Sequence, residues 1–380
     1  MKVILVDDER LALNHLEQLL QKLDMNLEII GKYTNPLEAR SEIIRLEAEI
    51  VFLDIHLPEL NGIELAEQII ERKPRTQVVF VTAFNDYAVK AFELNAVDYI
   101  MKPISKERLA KTVERITARA QAVPDHEVAD SADRHIRINM FRQVSIETEQ
   151  DGRILPQWRT TKAQELFMYL LQHRGQLIRK STLTDMLWPE YQPDKVYAQL
   201  YTTIYHIRKT LQPFGDHIQI VNTTEGYILQ LDRIELDIEE WEARLRALPP
   251  ISAESIPRHE EVSKMYTGDY LQEYGYWWAE GERQRLRSLR IDSLFLIADW
   301  YAAEELWNKA AASYQTICDL YPLEEKAYLS LMRIFAAQNN PALVERHYNL
   351  LRTILREELN VQPSGEVLRW YESWAERRFV

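Results

Sequence analysis

Ile50-Val51-Phe52-Leu53-Asp54-Ile55-His56-Leu57-Pro58-Glu59-Leu60-Asn61-Gly62 is the stretch from which the fold is read. Apolar, strand-type residues end in a single carboxylate, a turn with Pro58 and Gly62 follows, and a helical pattern begins. In an open parallel sheet, reacting groups gather at the carboxyl ends of strands, so Asp54 is expected at such an edge. Alone, an aspartate after a strand is as well explained as a turn or cap residue. Three more stretches also end strand-like runs in polar groups: Asp7-Asp8, Thr82 and Lys102.

The alternation continues on both sides. Strands are expected over Val3–Val6, Leu27–Tyr33, Ile50–Leu53, Gln77–Val81 and Asp98–Met101. Helices are expected over Glu9–Leu23, Pro36–Leu46, Gly62–Arg72, Asp86–Leu94 and Lys106–Ala120. Such strand-helix units imply a parallel sheet covered on both faces. Asp7, Asp8 and Asp54 then converge at one edge with Thr82 and Lys102. Carboxylates so placed repel unless a hard cation sits among them, and magnesium takes oxygen ligands. A lysine supplies a point charge and a hydroxyl can bond a phosphoryl oxygen. The set is what transfer of a phosphoryl group onto a carboxylate needs.

Val6-Asp7-Asp8-Glu9, Leu53-Asp54-Ile55-His56-Leu57-Pro58, Val81-Thr82-Ala83 and Met101-Lys102-Pro103 resemble, in order and spacing, the motifs of response-regulator receiver domains. The resemblance covers residues 1–123 and implies a doubly wound, flavodoxin-like α/β fold. It implies that Asp54 is the phosphoacceptor, loaded by a sensor histidine kinase. Asp8 would ligate Mg2+ directly, Asp7 through water, and the His56 carbonyl would complete the protein ligands. Thr82 would contact the phosphoryl group, Lys102 would pair with it, and Tyr99 would turn inward as Thr82 moves. His56 and Phe84 flank the acceptor and are expected to shield it from water.

The length of 380 residues suggests two to four domains. Cys318 is the single cysteine, which excludes an intrachain disulfide and multi-cysteine metal sites and suits a reducing cytosol. Neither a membrane span nor a signal peptide is expected, so the expected location is cytoplasmic. The net charge is -13, distributed as -4 over 1–123, -4 over 124–133, +2 over 134–232 and -7 over 233–380. An acidic chain repels nucleic acid as a whole, so DNA binding is expected of the third block.

Residues 124–133 are acidic, poor in large apolar residues, and read as a linker. From 134 to 232, a strand-like opening at His135–Ser145 and a turn at Asp151-Gly152 precede helices over Ala163–His173, with Gly175 as C-cap, and Ser181–Leu187, with Ser181 as N-cap. In Asp194–Leu211, Val196, Leu200, Ile204, Ile207 and Leu211 form one buried face. The opposite face carries Lys195, Gln199, Thr202, His206 and Lys209, with Thr203 and Thr210 alongside, the donors and acceptors a groove reader wants. A β-hairpin follows around Asn222–Glu225. Trp158–Ala163, Leu187-Trp188-Pro189, His206–Lys209 and Glu225-Gly226-Tyr227 resemble the SARP-type winged helix-turn-helix. By that resemblance Asp194–Gln212 is the recognition helix and Ile218–Leu229 the wing. Arg159, Lys162, Lys195, Arg208 and Lys209 are the basic DNA-contact candidates, and Gln199, Thr203 and His206 the base-contact candidates.

Residues 233–380 show no strand pattern. A 34-residue shift pairs Leu294 with Tyr328, Ile297 with Leu331, Tyr301 with Phe335, Ala310 with Val344, Tyr314 with Tyr348 and Ile317 with Leu351. The pattern resembles a degenerate tetratricopeptide repeat. Leu236–Trp241, Tyr266–Leu271 and Tyr321–Glu324 resemble the bacterial transcriptional activation domain. Trp277-Trp278 reads as core. The whole reads as a two-component transcription regulator rather than an enzyme. It is expected to bind promoter DNA as a dimer when phosphorylated, with RNA polymerase as a further candidate partner. The rival reading is a phosphorelay adaptor whose output is protein binding through the repeat domain.

Overall fold

The computed structural model describes residues 1–23, 25–73, 76–83, 96–121, 135–190 and 193–378. The expected helix Asp86–Leu94, Phe84 and the linker 124–133 lie outside the described residues. The chain forms two compact units: residues 1–134 with 156–233, and residues 135–155 with 234–380.

The first unit opens with β1 (Lys2–Val6), α1 (Arg10–Gln21), β2 (Glu28–Tyr33), α2 (Pro36–Arg45), β3 (Ile50–Leu53), α3 (Gly62–Arg72), β4 (Gln77–Thr82), β5 (Asp98–Met101) and α4 (Lys106–Gln121). The strands form one sheet in the order β2-β1-β3-β4-β5, every pair parallel. Successive residues alternate between its faces. Val3, Leu5, Ile50, Phe52, Val79, Val81 and Ile100 pack with Leu13, Leu16 and Leu20 of α1 and Leu109, Val113 and Ile116 of α4. Ile4, Val6, Val51, Leu53, Val78 and Phe80 are also buried, as are Ala39 and Ile43 of α2 and Ala66 and Ile69 of α3. Burial on both faces is why these strands read as continuous apolar runs. Asn35 and Asn61 start α2 and α3 by accepting hydrogen bonds from first-turn N–H groups.

The same unit continues with α5 (Thr161–Gln172), β9 (Ile178–Arg179), α6 (Lys180–Leu187), α7 (Pro193–Leu211), β10 (Ile218–Asn222) and β11 (Gly226–Leu231). Thr160 caps α5 through the Ala163 N–H at 3.1 Å. Ser181 does not cap α6 as expected. The helix begins one residue earlier, at Lys180, whose N–H is drawn to the Glu225 carbonyl. The expected hairpin is present, with β10 and β11 antiparallel and β9 added to it.

The second unit departs from the sequence reading. Its four-stranded sheet, β12-β6-β7-β8, joins β6 (Ile136–Asn139), β7 (Ser145–Thr148) and β8 (Gly152–Ile154) to β12 (Ile234–Leu236), a strand that the sequence pattern did not show. The strands at 135–155, read above with the winged helix, therefore fold with the C-terminal residues. Ile136 pairs with Ile234, nearly a hundred residues away along the chain, and no local pattern records that partner. Asp237 locks the junction, accepting from the Met140, Phe141 and Ile238 N–H groups. Burial raises its carboxyl pKa against those three bonds.

Helices α8 (Asp237–Arg246), α9 (Ile256–Met265), α10 (Glu280–Ala303), α11 (Trp307–Leu320), α12 (Glu325–Ala337), α13 (Pro341–Leu359) and α14 (Gly365–Arg378) complete this unit. The repeat register is real packing: every residue of the six shifted pairs lies in one apolar core except Phe335, which packs against it half-buried. Trp278 is buried, whereas Trp277 is 75% exposed and is not the core residue expected.

Candidate functional site

The carboxyl ends of β1, β3, β4 and β5 bring the expected side chains together. Asp7, Asp8 and Asp54 each offer a carboxylate oxygen, and these atoms lie within 4.8 Å of one another. Asp7 and Asp54 are buried and Asp8 is exposed. Lys102 Nζ bridges the buried pair, 2.7 Å from Asp7 Oδ2 and 2.7 Å from Asp54 Oδ2. The other oxygen of Asp54, Oδ1, accepts from the Ile55 N–H at 2.6 Å and the His56 N–H at 3.3 Å. Thr82 is fully buried, and among the described residues its hydroxyl has no hydrogen-bond partner. A buried hydroxyl without a partner suits a ligand oxygen. Tyr99 is half-buried on β5, and the His56 side chain is exposed.

The electrostatics follow from this geometry. Burial raises the Asp7 carboxyl pKa, while the Lys102 ammonium and the Glu9 N–H pull it down. Burial alone would lower the Lys102 pKa, but its bonds to Asp54 and Asp7 hold it above the ordinary lysine value. Three acidic groups against one cation leave an uncompensated negative site with oxygen donors, which fits a small divalent ion.

The loop after β3 leaves no slack. A Cβ added to Gly62 would stand 1.9 Å from the Asp54 carbonyl oxygen and 2.9 Å from the Ile55 Cα. Gly62 N–H donates to the Ile55 carbonyl at 2.8 Å, and α3 begins there.

The DNA-contact candidates divide. Val196, Leu200, Ile204, Ile207 and Leu211 of α7 are buried as expected. Part of the face expected to read a groove is enclosed: Thr203 and His206 are each only 6% exposed, and Thr202 is buried. Gln199 is half-buried and receives the Thr203 hydroxyl on its carbonyl at 2.7 Å. Burial and the nearby Arg159 and Lys209 charges lower the His206 pKa. Arg159 and Lys209 are exposed, and Lys162 pairs with Glu165 at 3.2 Å. The side chain of Lys195 lies outside the described residues.

Another side of α7, at Tyr201 and Arg208, packs along α3. Glu64 pairs with Lys180 and accepts from the Tyr201 hydroxyl at 2.8 Å. Glu67 pairs with Arg208 at 3.1 Å and accepts from the Tyr227 hydroxyl at 3.1 Å. Sequence reading singled out none of Glu64, Glu67, Lys180 and Tyr201. Two glutamates one turn apart on an amphipathic helix look like its solvated face.

A parallel α/β domain of flavodoxin type with acids, hydroxyl and lysine at one sheet edge, followed by winged and helical segments, defines a signal-receiving regulator. Residues 3–114 match the response regulator receiver domain, and residues 239–373 match the bacterial transcriptional activator domain. An uncharacterized response regulatory protein of Vibrio cholerae is 44% identical over 116 residues, covering 30% of this chain and 48% of that one. The transcriptional regulatory protein BtsR of Salmonella typhi is 44% identical over 115 residues, covering 30% and 47%. The chain thus spans about half the length of these curated relatives. A second uncharacterized response regulatory protein of Vibrio cholerae is 33% identical over 198 residues, 52% of this chain and 68% of that one. Among solved structures, the response regulatory domain of mrkE from Klebsiella pneumoniae is 35% identical, covering 32% of this chain and all of that one with TM-score 0.31. Mycobacterium tuberculosis EmbR is 16% identical over 64% of this chain and 66% of that one, with TM-score 0.49.

The chain belongs to the response regulator family, with a receiver domain and a bacterial transcriptional activator domain, the makeup of a transcription regulator. Among the described residues, no helix is long and apolar enough to cross a membrane.

Proposed function

We propose that Asp54 accepts a phosphoryl group from a sensor histidine kinase in the presence of Mg2+, and that this changes assembly and promoter binding by the winged helix. The observation that carries this reading is Lys102 bridging Asp54 and Asp7 beside Asp8 and a buried Thr82 hydroxyl that has no partner among the described residues. Asp54 Oδ1 is held by two backbone N–H groups, so Oδ2 is the nucleophile. Its lone pair forms the new P–O bond as the phosphorus–nitrogen bond to the kinase imidazole breaks, and the electron pair leaves with the imidazole. Lys102 then follows the charge onto the phosphoryl oxygens, and the Thr82 hydroxyl donates to one of them. Asp7, Asp8, Asp54 and the His56 carbonyl would hold the magnesium. When bound, the ion would offset charge between the carboxylates and the incoming phosphoryl group. Tyr99 fits a switch residue, because added charge of about -2 shifts a poised aromatic.

For DNA, Arg159, Lys162, Lys195, Arg208 and Lys209 are the basic candidates, with Gln199, Thr203 and His206 as base readers. The receiver is then residues 1–123 and the linker 124–133, in a cytoplasmic, dimeric regulator with RNA polymerase as a further partner. Intact-mass measurement after incubation with magnesium and acetyl phosphate tests the first half. Wild type is expected to gain one phosphoryl group and Asp54→Ala none; unmodified wild type sinks the reading. For the second half, duplex affinity is measured at fixed salt with phosphodonor present. Arg159→Glu with Lys209→Glu is expected to weaken binding of a random-sequence duplex by about tenfold or more, since two phosphate-facing cations become anions. Unchanged affinity there would favour the adaptor reading instead.

A further inference from the structure

Arg290 sits near the middle of α10 and is only 8% exposed. A buried guanidinium needs opposite charge or hydrogen bonds around it. Nη1 has the second: it donates to the carbonyl and to the hydroxyl of Ser263, in the last turn of α9. That is ordinary work for a basic side chain at a helix C-terminus, and it uses up the hydrogens of one nitrogen. Nε and Nη2 have no hydrogen-bond partner among the described residues, yet neither is sealed from solvent. They form the side-on edge of the guanidinium, a planar fork spaced for two oxygens of one carboxylate or phosphate.

Among the described residues no carboxylate answers this cation. Burial lowers the Arg290 pKa, and the groups that oppose burial are the Tyr321 and Tyr266 hydroxyls. Asp269 is engaged elsewhere: it pairs with Arg287, one turn earlier on α10, and accepts from the Tyr266 hydroxyl at 2.8 Å. The Tyr266 ring flanks Arg290, its centroid 5.5 Å from the guanidinium carbon. Tyr321, the residue after α11, is half-buried, and its hydroxyl makes no hydrogen bond among the described residues. An open guanidinium edge, a spare hydroxyl and an aromatic wall thus come together among α9, α10 and the end of α11, with the positive charge unmatched.

We propose that Arg290 and Tyr321 form a binding site for a small oxyanion, in which Nε and Nη2 hold two oxygens and the Tyr321 hydroxyl donates to the same group. Carboxylate and phosphate share this chemistry. The site is independent of phosphoryl acceptance at Asp54. A bound anion ties α10 to the residue after α11 and gives the helical domain a ligand input of its own.

Calorimetric titration of the full chain with inorganic phosphate, and separately with acetate, tests the site. It is run at two temperatures, so that a binding enthalpy near zero at one of them is not mistaken for no binding. No divalent ion is added, so the acidic edge at Asp54 only repels an anion, and chloride holds the ionic strength constant. Wild type is expected to bind at least one of the two saturably, and the tighter of them identifies the class of oxyanion. Arg290→Lys keeps the charge but loses the fork, and is expected to weaken that binding by about tenfold or more. Tyr321→Phe keeps the ring and is expected to weaken it by about threefold or more. No saturable heat with either anion overturns the site. Wild-type affinity in either folded variant overturns it too, since the anion is then held elsewhere. If far-UV circular dichroism shows that Arg290→Lys has lost its helices, Tyr321→Phe decides.

Discussion

Gly62→Ala is expected to destabilise the receiver by about 2–4 kcal/mol, at or above the usual cost of overpacking, and to abolish phosphoryl acceptance at Asp54. The added methyl would meet the Asp54 carbonyl oxygen at 1.9 Å, a backbone atom rather than a side chain that can turn away. The Asp54 N–H is anchored to the Val6 carbonyl at 2.9 Å in the sheet core, and the Gly62 N–H to Ile55. Neither side can retreat without breaking one of these bonds. The cheapest relief is to pull α3 away, which swings the 55–61 loop and the two N–H groups that aim Asp54. A misaligned nucleophile loses orders of magnitude in rate. Urea unfolding followed by fluorescence reads the first effect and intact mass after acetyl phosphate the second. A variant with wild-type midpoint and wild-type phosphorylation would show that the loop is softer than its packing indicates.

The second large effect is expected at Lys102. Lys102→Met leaves Asp7 and Asp54 buried with no cation between them. The expected loss at neutral pH without divalent ions is about 2–4 kcal/mol, below the deepest-buried cases because the Lys102 side chain keeps 23% exposure. The pH dependence has a definite sign. Removing the ammonium takes away the contact that pulls the Asp7 pKa down, and Asp7 already stands above its ordinary value through burial. A raised carboxyl pKa favours the folded state in full below the unfolded value, about 3.9, and that help is lost as pH rises through the folded value. The deficit of the variant should therefore grow from acidic to neutral pH. Magnesium should offset it: the variant is expected to gain more in unfolding midpoint from magnesium chloride than wild type does. Equal gains in both proteins would argue that the ion binds elsewhere. Wild-type Lys102, with its raised pKa, contributes stability below the unfolded lysine value and loses it as pH climbs past the folded one.

Much of the receiver was legible before any coordinates. The strand β3 and helix α3 fall on the residues read from the pattern, and the acids, Thr82 and Lys102 meet where strand ends in a parallel sheet must meet. The helical repeat was legible for a similar reason, since each residue's partner sits a fixed number of positions away. Thr203 and His206 were read as base-contact candidates because α7 alone shows only its own apolar stripe, yet both are buried.

Periodicity and strand-end chemistry are carried by neighbours along the chain, so the amino-acid order by itself determined the flavodoxin-like sheet, its acidic edge and the repeat register. Only the tertiary structure decided that 135–155 folds with 234–380, through the pairing of Ile136 with Ile234. It alone also decided that Glu64 and Glu67 face Lys180 and Arg208 across 116 and 141 residues. Such contacts depend on which surfaces meet in space, and a buried glutamate is spelled like an exposed one.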